Sequence, residues 1–248
     1  ASNATGIDGN QADNSAGGAG AVYVFTRSGS TWSQQAYIKA GVADANEAFG
    51  GRQALSGDGD TLAVGGNTVQ VFARTNGLWS AQARLNGAGN SNGYANSIAM
   101  SAAGNILAIS TAGDNSNARG FNGNPANSAA PVSGAVTLFE RINGTWQSRA
   151  YIKASNTLAK AKYYTPEGSE CDYQYVLNPA LFGATLALSA NGDLLAVGAQ
   201  GEASKATGVN GNQDDQSAPN AGAVYTYIRS GGSWAHQAYV KASNTDAG

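Results

Sequence analysis

Residues 134–154 carry the pattern on which the fold turns: Gly134-Ala135-Val136-Thr137-Leu138-Phe139, a turn at Asn143-Gly144, then Trp146 and a second run from Arg149 to Ala154. The first run returns as Gly20-Ala21-Val22-Tyr23-Val24-Phe25 and as Gly222-Ala223-Val224-Tyr225-Thr226-Tyr227, with a degenerate copy at Thr68-Val69-Gln70-Val71-Phe72. A tryptophan follows each copy at a fixed distance: Trp32, Trp79, Trp146 and Trp234. The second run recurs as Gln35-Ala36-Tyr37-Ile38-Lys39-Ala40 and from Gln237 to Ala242, and shrinks to Ala83-Arg84-Leu85 in the degenerate copy. Short β-branched and aromatic runs on either side of residues that tolerate positive φ read as β-hairpins. We call this unit the Trp hairpin.

A second unit alternates with it. Ala54-Leu55-Ser56-Gly57-Asp58-Gly59-Asp60-Thr61-Leu62-Ala63-Val64-Gly65 is copied from Ala99-Met100-Ser101 to Ile109-Ser110 and from Ala187-Leu188-Ser189 to Val197-Gly198. This Leu-Ser hairpin turns at Gly57-Asp58-Gly59 and its counterparts. Nowhere does a sustained helical period appear. Two hairpins make a four-stranded antiparallel sheet, and such sheets repeated every few tens of residues are propeller blades. The expectation is an all-β chain of β-propeller blades over 1–248, with repeats near 20–66, 67–112, 134–199 and a partial 222–248. That is about three and a half repeats, which predicts either a piece of a larger propeller or one completed by further copies of the chain. A closed ring of about four sheets is the remaining alternative.

The spaced features resemble FG-GAP repeats, the blades of integrin-α-type propellers. Phe49-Gly50 and Phe182-Gly183 resemble the FG, and Val64-Gly65-Gly66 and Val197-Gly198-Ala199 the start of the GAP. Tyr94-Ala95 departs from the FG in the middle repeat, and no copy keeps the proline. The resemblance covers nearly the whole chain and implies a bacterial surface or secreted repeat protein, located outside the cell or on its surface.

Composition narrows the function. The 248 residues include 34 Gly, one Cys, one His and only 12% charged residues, with a formal net charge of −2. A near-neutral chain lacks the basic surface that nucleic acid requires. One Cys excludes an internal disulfide framework and a cysteine zinc site. No apolar run approaches the roughly 20 residues of a membrane helix, so an integral membrane protein is not expected. Nucleophile elbows, phosphate loops and Cys/His metal sets are absent, and Gly17-Gly18-Ala19-Gly20 precedes a strand where a dinucleotide site needs a helix. The chain therefore reads as a non-enzyme. The tryptophans read as packing residues, with a glycan platform as the lesser reading, and His236 as an exposed strand residue.

Three polar loops precede Gly-Ala-Val strands and share one ungapped register. Gly6, Gly120 and Gly208 align, then Asp8, Asn122 and Asn210, then Asn10, Asn124 and Asn212, then Asp13, Asn127 and Asp215. The short repeat at Gly66-Asn67 lacks the loop. Integrin-type propellers carry Ca²⁺ loops at a similar place, so the resemblance implies Ca²⁺ as a cofactor. Candidate ligands are Asp8, Asn10 and Asp13 in the first loop and Asp114, Asn122, Asn124 and Asn127 in the second. The third offers Glu202, Asn210, Asn212, Asp214 and Asp215. Ca²⁺ wants six to eight oxygens, several from carboxylates; these loops are poor in them, and Asn-Gly turn chemistry explains the same pattern.

An insertion at 155–181 interrupts the repeat and concentrates Tyr163, Tyr164, Glu167, Glu170, Asp172, Tyr173 and Tyr175. Loops on rigid scaffolds carry specificity, so these seven are the candidate binding loop; packing of the tyrosines on a neighbouring blade is the other reading. The functional expectation is an extracellular non-catalytic binding, adhesion or assembly module. Its partner would be a protein or glycan ligand, further copies of itself, or the rest of its parent chain. Two alternatives stand: a structural subunit of a surface filament or layer, and a propeller-based calcium-dependent lyase or hydrolase.

Overall fold

The structure is a computed structural model. It describes residues 2–13, 15–42, 47–88, 95–157 and 180–246, together with the backbone of 163–164 and 170–171. In chain order the strands are β1 (Val22–Ser28), β2 (Thr31–Ile38), β3 (Arg52–Leu55), β4 (Thr61–Gly65), β5 (Val69–Thr75), β6 (Leu78–Leu85), β7 (Ser97–Met100), β8 (Ile106–Thr111), β9 (Gly120–Phe121), β10 (Ala135–Ile142), β11 (Thr145–Lys153), β12 (Tyr163–Tyr164), β13 (Glu170–Cys171), β14 (Phe182–Leu188), β15 (Leu194–Ala199), β16 (Ala223–Ser230) and β17 (Ser233–Val240). Every Trp hairpin and every Leu-Ser hairpin read from the sequence is present as an antiparallel pair.

Three sheets are four-stranded meanders: β3-β4-β5-β6, β7-β8-β10-β11 with β9 added at its edge, and β14-β15-β16-β17. The hairpin β1-β2 forms a two-stranded sheet ahead of them. These are β-propeller blades. Their phase differs from the repeats at 20–66, 67–112 and 134–199. Each Leu-Ser hairpin pairs with the Trp hairpin that follows it, through β4-β5, β8-β10 and β15-β16, and no sheet joins β2 to β3. Sequence order alone does not say which neighbour a hairpin takes.

Alternation then assigns the two faces of each sheet. Residues such as Val69 and Val71 face forward, and pack with Leu107, Ile109, Phe139 and Trp146 of the following sheet. Val136, Leu138, Ala150 and Ile152 likewise meet Leu195, Val197, Tyr225, Tyr227 and Tyr239. Ala36 and Ile38, with Val22 and Val24, meet Leu62, Val64, Phe72 and Trp79. Each fully buried side chain of this size contributes about 1.5–3 kcal/mol, so face-to-face stacking holds the sheets together.

The Phe-Gly and Gly-Ala-Val motifs are the clasp between sheets. The Phe49 N–H donates to Ala19 O at 3.3 Å, and the Phe182 N–H to Ser133 O at 3.1 Å. Gly20 and Gly134 lie directly beneath, with φ of +75° and +81°. A Cβ on either would sit 2.0 Å from the carbonyl oxygen of Phe49 or Phe182. The serine of each Leu-Ser turn accepts a backbone N–H across the turn: Thr61 to Ser56 Oγ, Ile106 to Ser101 Oγ and Leu194 to Ser189 Oγ.

Candidate functional site: three clamped loops and their buried lysines

The polar loops lie within sheets, between β8 and β10 and between β15 and β16, and ahead of β1. Each folds back over the outer strand of its own Trp hairpin. Ile7 bridges to Ile38, Phe121 pairs with Ile152, and Val209 bridges to Val240. The next residue sits in the left-handed region, at φ 56° for Asp8, 54° for Asn122 and 56° for Asn210. Asn and Asp tolerate that conformation better than other side chains with a Cβ. Their side chains then accept from the strand backbone. Tyr37 N–H donates to Asp8 Oδ1 at 2.8 Å, Tyr151 N–H to Asn122 Oδ1 at 2.9 Å and Tyr239 N–H to Asn210 Oδ1 at 3.0 Å.

The remaining register positions close the loop on itself. Asn10, Asn124 and Asn212 each accept the N–H two residues on, from Ala12, Ala126 and Asp214 at 2.9–3.0 Å. Asp13, Asn127 and Asp215 bridge ten residues back, to the N–H of Asn3, Asn117 and Lys205, and also accept from Ser15, Ala129 and Ser217. Hydrogen bonds from Ser15 and Ser217 hold the Asp13 and Asp215 carboxyls below the usual carboxylate range.

Each expected Ca²⁺ side chain except Asp214 therefore already accepts a backbone N–H through one oxygen; Asp114 Oδ2 is buried without a hydrogen-bond partner, and Asp214 stands exposed at the loop surface. Among the described residues no three His, Cys, Asp or Glu side chains group to hold a metal. The residues present fit Asx-turn chemistry and do not fit a calcium cage. Two of the loops instead hold a buried lysine nitrogen from the chain itself against a carboxylate. Lys153 Nζ donates to Asp114 Oδ1 at 2.8 Å, and Lys241 Nζ to Glu202 Oε2 at 2.7 Å, both pairs buried. In the first loop Lys39 Nζ, also buried, donates to the Gly20 carbonyl at 2.5 Å.

Around Asp114 the groups are tightly knit. Its Oδ1 also accepts from the Tyr151 hydroxyl at 2.9 Å and the Ser116 N–H at 2.9 Å. Burial lowers the Lys153 pKa from the ordinary lysine value, with Asp114 acting in the opposite sense. Burial, and then the Asp114 charge, raise Tyr151. Around Glu202, Oε1 accepts from Asn156 Nδ2 at 2.9 Å, and the Tyr225 hydroxyl donates to Asn156 Oδ1 at 2.5 Å.

The lysines and Asn156 escaped the sequence reading. A signal was present: Lys39, Lys153 and Lys241 recur after an apolar run in the three copies that own a polar loop, and Asn86 replaces lysine where the loop is missing. Of the insertion residues, the backbones of Tyr163 and Tyr164 pair with those of Cys171 and Glu170. Their side chains, and Glu167, Asp172, Tyr173 and Tyr175 altogether, lie outside the described residues. His236 is exposed on β17 as expected.

Trp79 and Trp146 pack between sheets, as read from the sequence, whereas Trp32 is exposed. Trp79 Nε1 donates to Gln35 Oε1 of the preceding hairpin at 3.0 Å, and Trp146 Nε1 to Gln82 Oε1 at 2.9 Å. Arg74 and Arg141 stand over the two rings at 5.7 Å from the centroid. An open cleft of about 350 Å³ beside Trp234 is lined by Phe121, Asn122, Arg149 and Ser233 among others.

No family model and no curated protein sequence matches the chain. Among solved structures it is similar to the β-propeller domain of Cps50 (Swd1) from Myceliophteria thermophila. Identity is 15% over 72% of this chain and 65% of that one, less than two thirds of its length, with a TM-score of 0.23. The blade assignment rests on the sheets themselves. Among the described residues no helix is long and apolar enough to cross a membrane.

Proposed function

We propose that the chain is an extracellular, non-catalytic assembly module of the FG-GAP kind, which joins end to end with further copies of itself. One observation carries this reading: among the described residues the two outermost faces expose apolar side chains. Phe25 is 53% exposed, whereas its register counterparts Phe72 and Tyr227 are each 1% exposed; Trp32 is 65% exposed, against 8% for Trp79. At the other end the forward face of the last sheet presents Val224, Ile228 and Leu194, all exposed, where the equivalent Val69 and Val136 are buried.

Inside the molecule a forward face always meets a Phe/Trp face. The free forward face of β14–β17 therefore fits the free Phe/Trp face of β1-β2 on a second copy. The internal contacts supply the detail: Trp32 would donate to Gln237 as Trp79 does to Gln35 and Trp146 to Gln82. Such an interface is heterologous, so it closes into a ring or extends as a filament. This favours a structural subunit over a lyase or hydrolase, because the buried polar groups serve the loops. Sedimentation equilibrium over a range of concentrations tests it. Concentration-dependent association, weakened by Phe25→Ser, is expected; a wild-type monomer at every concentration contradicts it, including where a flanking strand pair of a longer polypeptide is the true occupant.

A further inference from the structure

Glu202 stands between an amine and an amide. Its Oε2 accepts from Lys241 Nζ at 2.7 Å, and its Oε1 accepts from Asn156 Nδ2 at 2.9 Å. Both nitrogens thus share one carboxylate. The third group around the amide is the Tyr225 hydroxyl, donating to Asn156 Oδ1 at 2.5 Å. Lys241, Glu202, Asn156 and Tyr225 are all buried, and Tyr239 packs alongside Tyr225 with ring centroids 5.3 Å apart. Amine and amide are thus held on the two oxygens of one carboxylate, with a phenol donating to the amide carbonyl oxygen, in a buried site.

We infer that Lys241 and Asn156 are joined by an intramolecular amide bond formed in the folded protein. The step needs nothing beyond these side chains. Glu202 takes a proton from the Lys241 ammonium along their 2.7 Å hydrogen bond. The freed Nζ lone pair attacks Asn156 Cγ while the Tyr225 hydroxyl stabilises the charge growing on Oδ1. Glu202 then returns the proton to Nδ2. The Cγ–Nδ2 bond breaks as the Nζ–Cγ bond is kept, and nitrogen leaves as ammonia, which takes up the remaining Nζ proton as ammonium. No electron is gained or lost overall, so no oxidant or cofactor enters.

A built-in comparison sharpens the assignment. Lys153 and Asp114 repeat the amine and the acid, yet the register position of Tyr225 there is Thr137, and that of Asn156 in the preceding repeat is Gly89. With threonine and glycine at the register positions of the phenol and the amide, that pair stays an ion pair. The bond at Asn156 lies beyond β11 and that at Lys241 beyond β17, so it staples the third sheet to the fourth.

Mass spectrometry of the intact chain decides it. A mass about 17 Da below that of the sequence is expected, the loss of one ammonia, with one linked peptide containing Asn156 and Lys241 after proteolysis. Asn156→Ala and Lys241→Arg should each return the chain to its own calculated mass. Glu202→Gln should leave the amide unlinked, and Lys153→Arg should keep the loss. A wild-type chain at its calculated mass, or about 1 Da above it through hydrolysis of Asn156, overturns the assignment, as does a link that persists in Glu202→Gln. The wild-type reading stands even if a variant fails to fold.

Discussion

Gly134 shows how much a single position decides. Its φ of +81° and the 2.0 Å from a notional Cβ to the Phe182 carbonyl leave no room for a side chain. Gly134→Ala should cost about 3 kcal/mol or more, combining left-handed strain with displacement of the clasp. Urea denaturation checks this, and a loss below about 1 kcal/mol would show that the clasp yields easily. Glycine, phenylalanine and their repeat were legible in the sequence, but the reason for them was not, because the two motifs meet across sheets. Lys153 teaches the same lesson. Lysine ordinarily reads as solvent-facing, yet here it is buried against Asp114. Lys153→Met should cost about 3–5 kcal/mol by leaving a buried carboxylate unpaired, and the double variant with Asp114→Leu should recover most of that in the same denaturation experiment.

Among elements, the polar loops behave as clamps on the outer strand of each Trp hairpin. The hydrogen bonds from Tyr37, Tyr151 and Tyr239 N–H to Asp8, Asn122 and Asn210 tie strand to loop. Asn122→Ala removes one such bond and leaves alanine at φ 54°, so a loss of about 1–3 kcal/mol is expected. Chelator and millimolar Ca²⁺ should leave the melting temperature unchanged, since the loop oxygens already accept N–H groups; a rise on adding Ca²⁺ would restore the metal reading, because a ligand bound only to the folded state stabilises it. Hairpin existence and turn position were readable from the β-rich runs and their Gly and Asn residues. The pairing of each Leu-Ser hairpin with the Trp hairpin after it was not, since local pattern carries no information on which neighbour shares a ladder.

For the whole molecule, stacking buries tyrosines between sheets, which makes stability pH-sensitive at the alkaline end. Burial raises the pKa of Tyr225, Tyr227, Tyr239 and Tyr151 above the ordinary 10.0. The unfolded chain then releases these protons at a lower pH than the folded one. Stability is complete below pH 10 on this account and falls as pH rises beyond it; burial of Lys153, whose pKa moves down, acts in the opposite sense. Tyrosinate absorbance followed alongside circular dichroism should show the buried set ionising only with unfolding. Early ionisation in a folded chain would place those rings in water.

Among the described residues the first and last sheets each expose an apolar face, and the proposal that these faces meet is tested most directly by disulfide trapping. In a Cys171→Ser background, a Trp32→Cys chain is mixed with a Gln237→Cys chain under mild oxidation, each position being the free counterpart of the Trp79–Gln35 contact. The account predicts disulfide-linked heterodimers in the mixture, with little linkage when either variant is oxidised alone. Equal linkage within each single variant, or none in the mixture at concentrations where the wild type associates, would contradict end-to-end assembly.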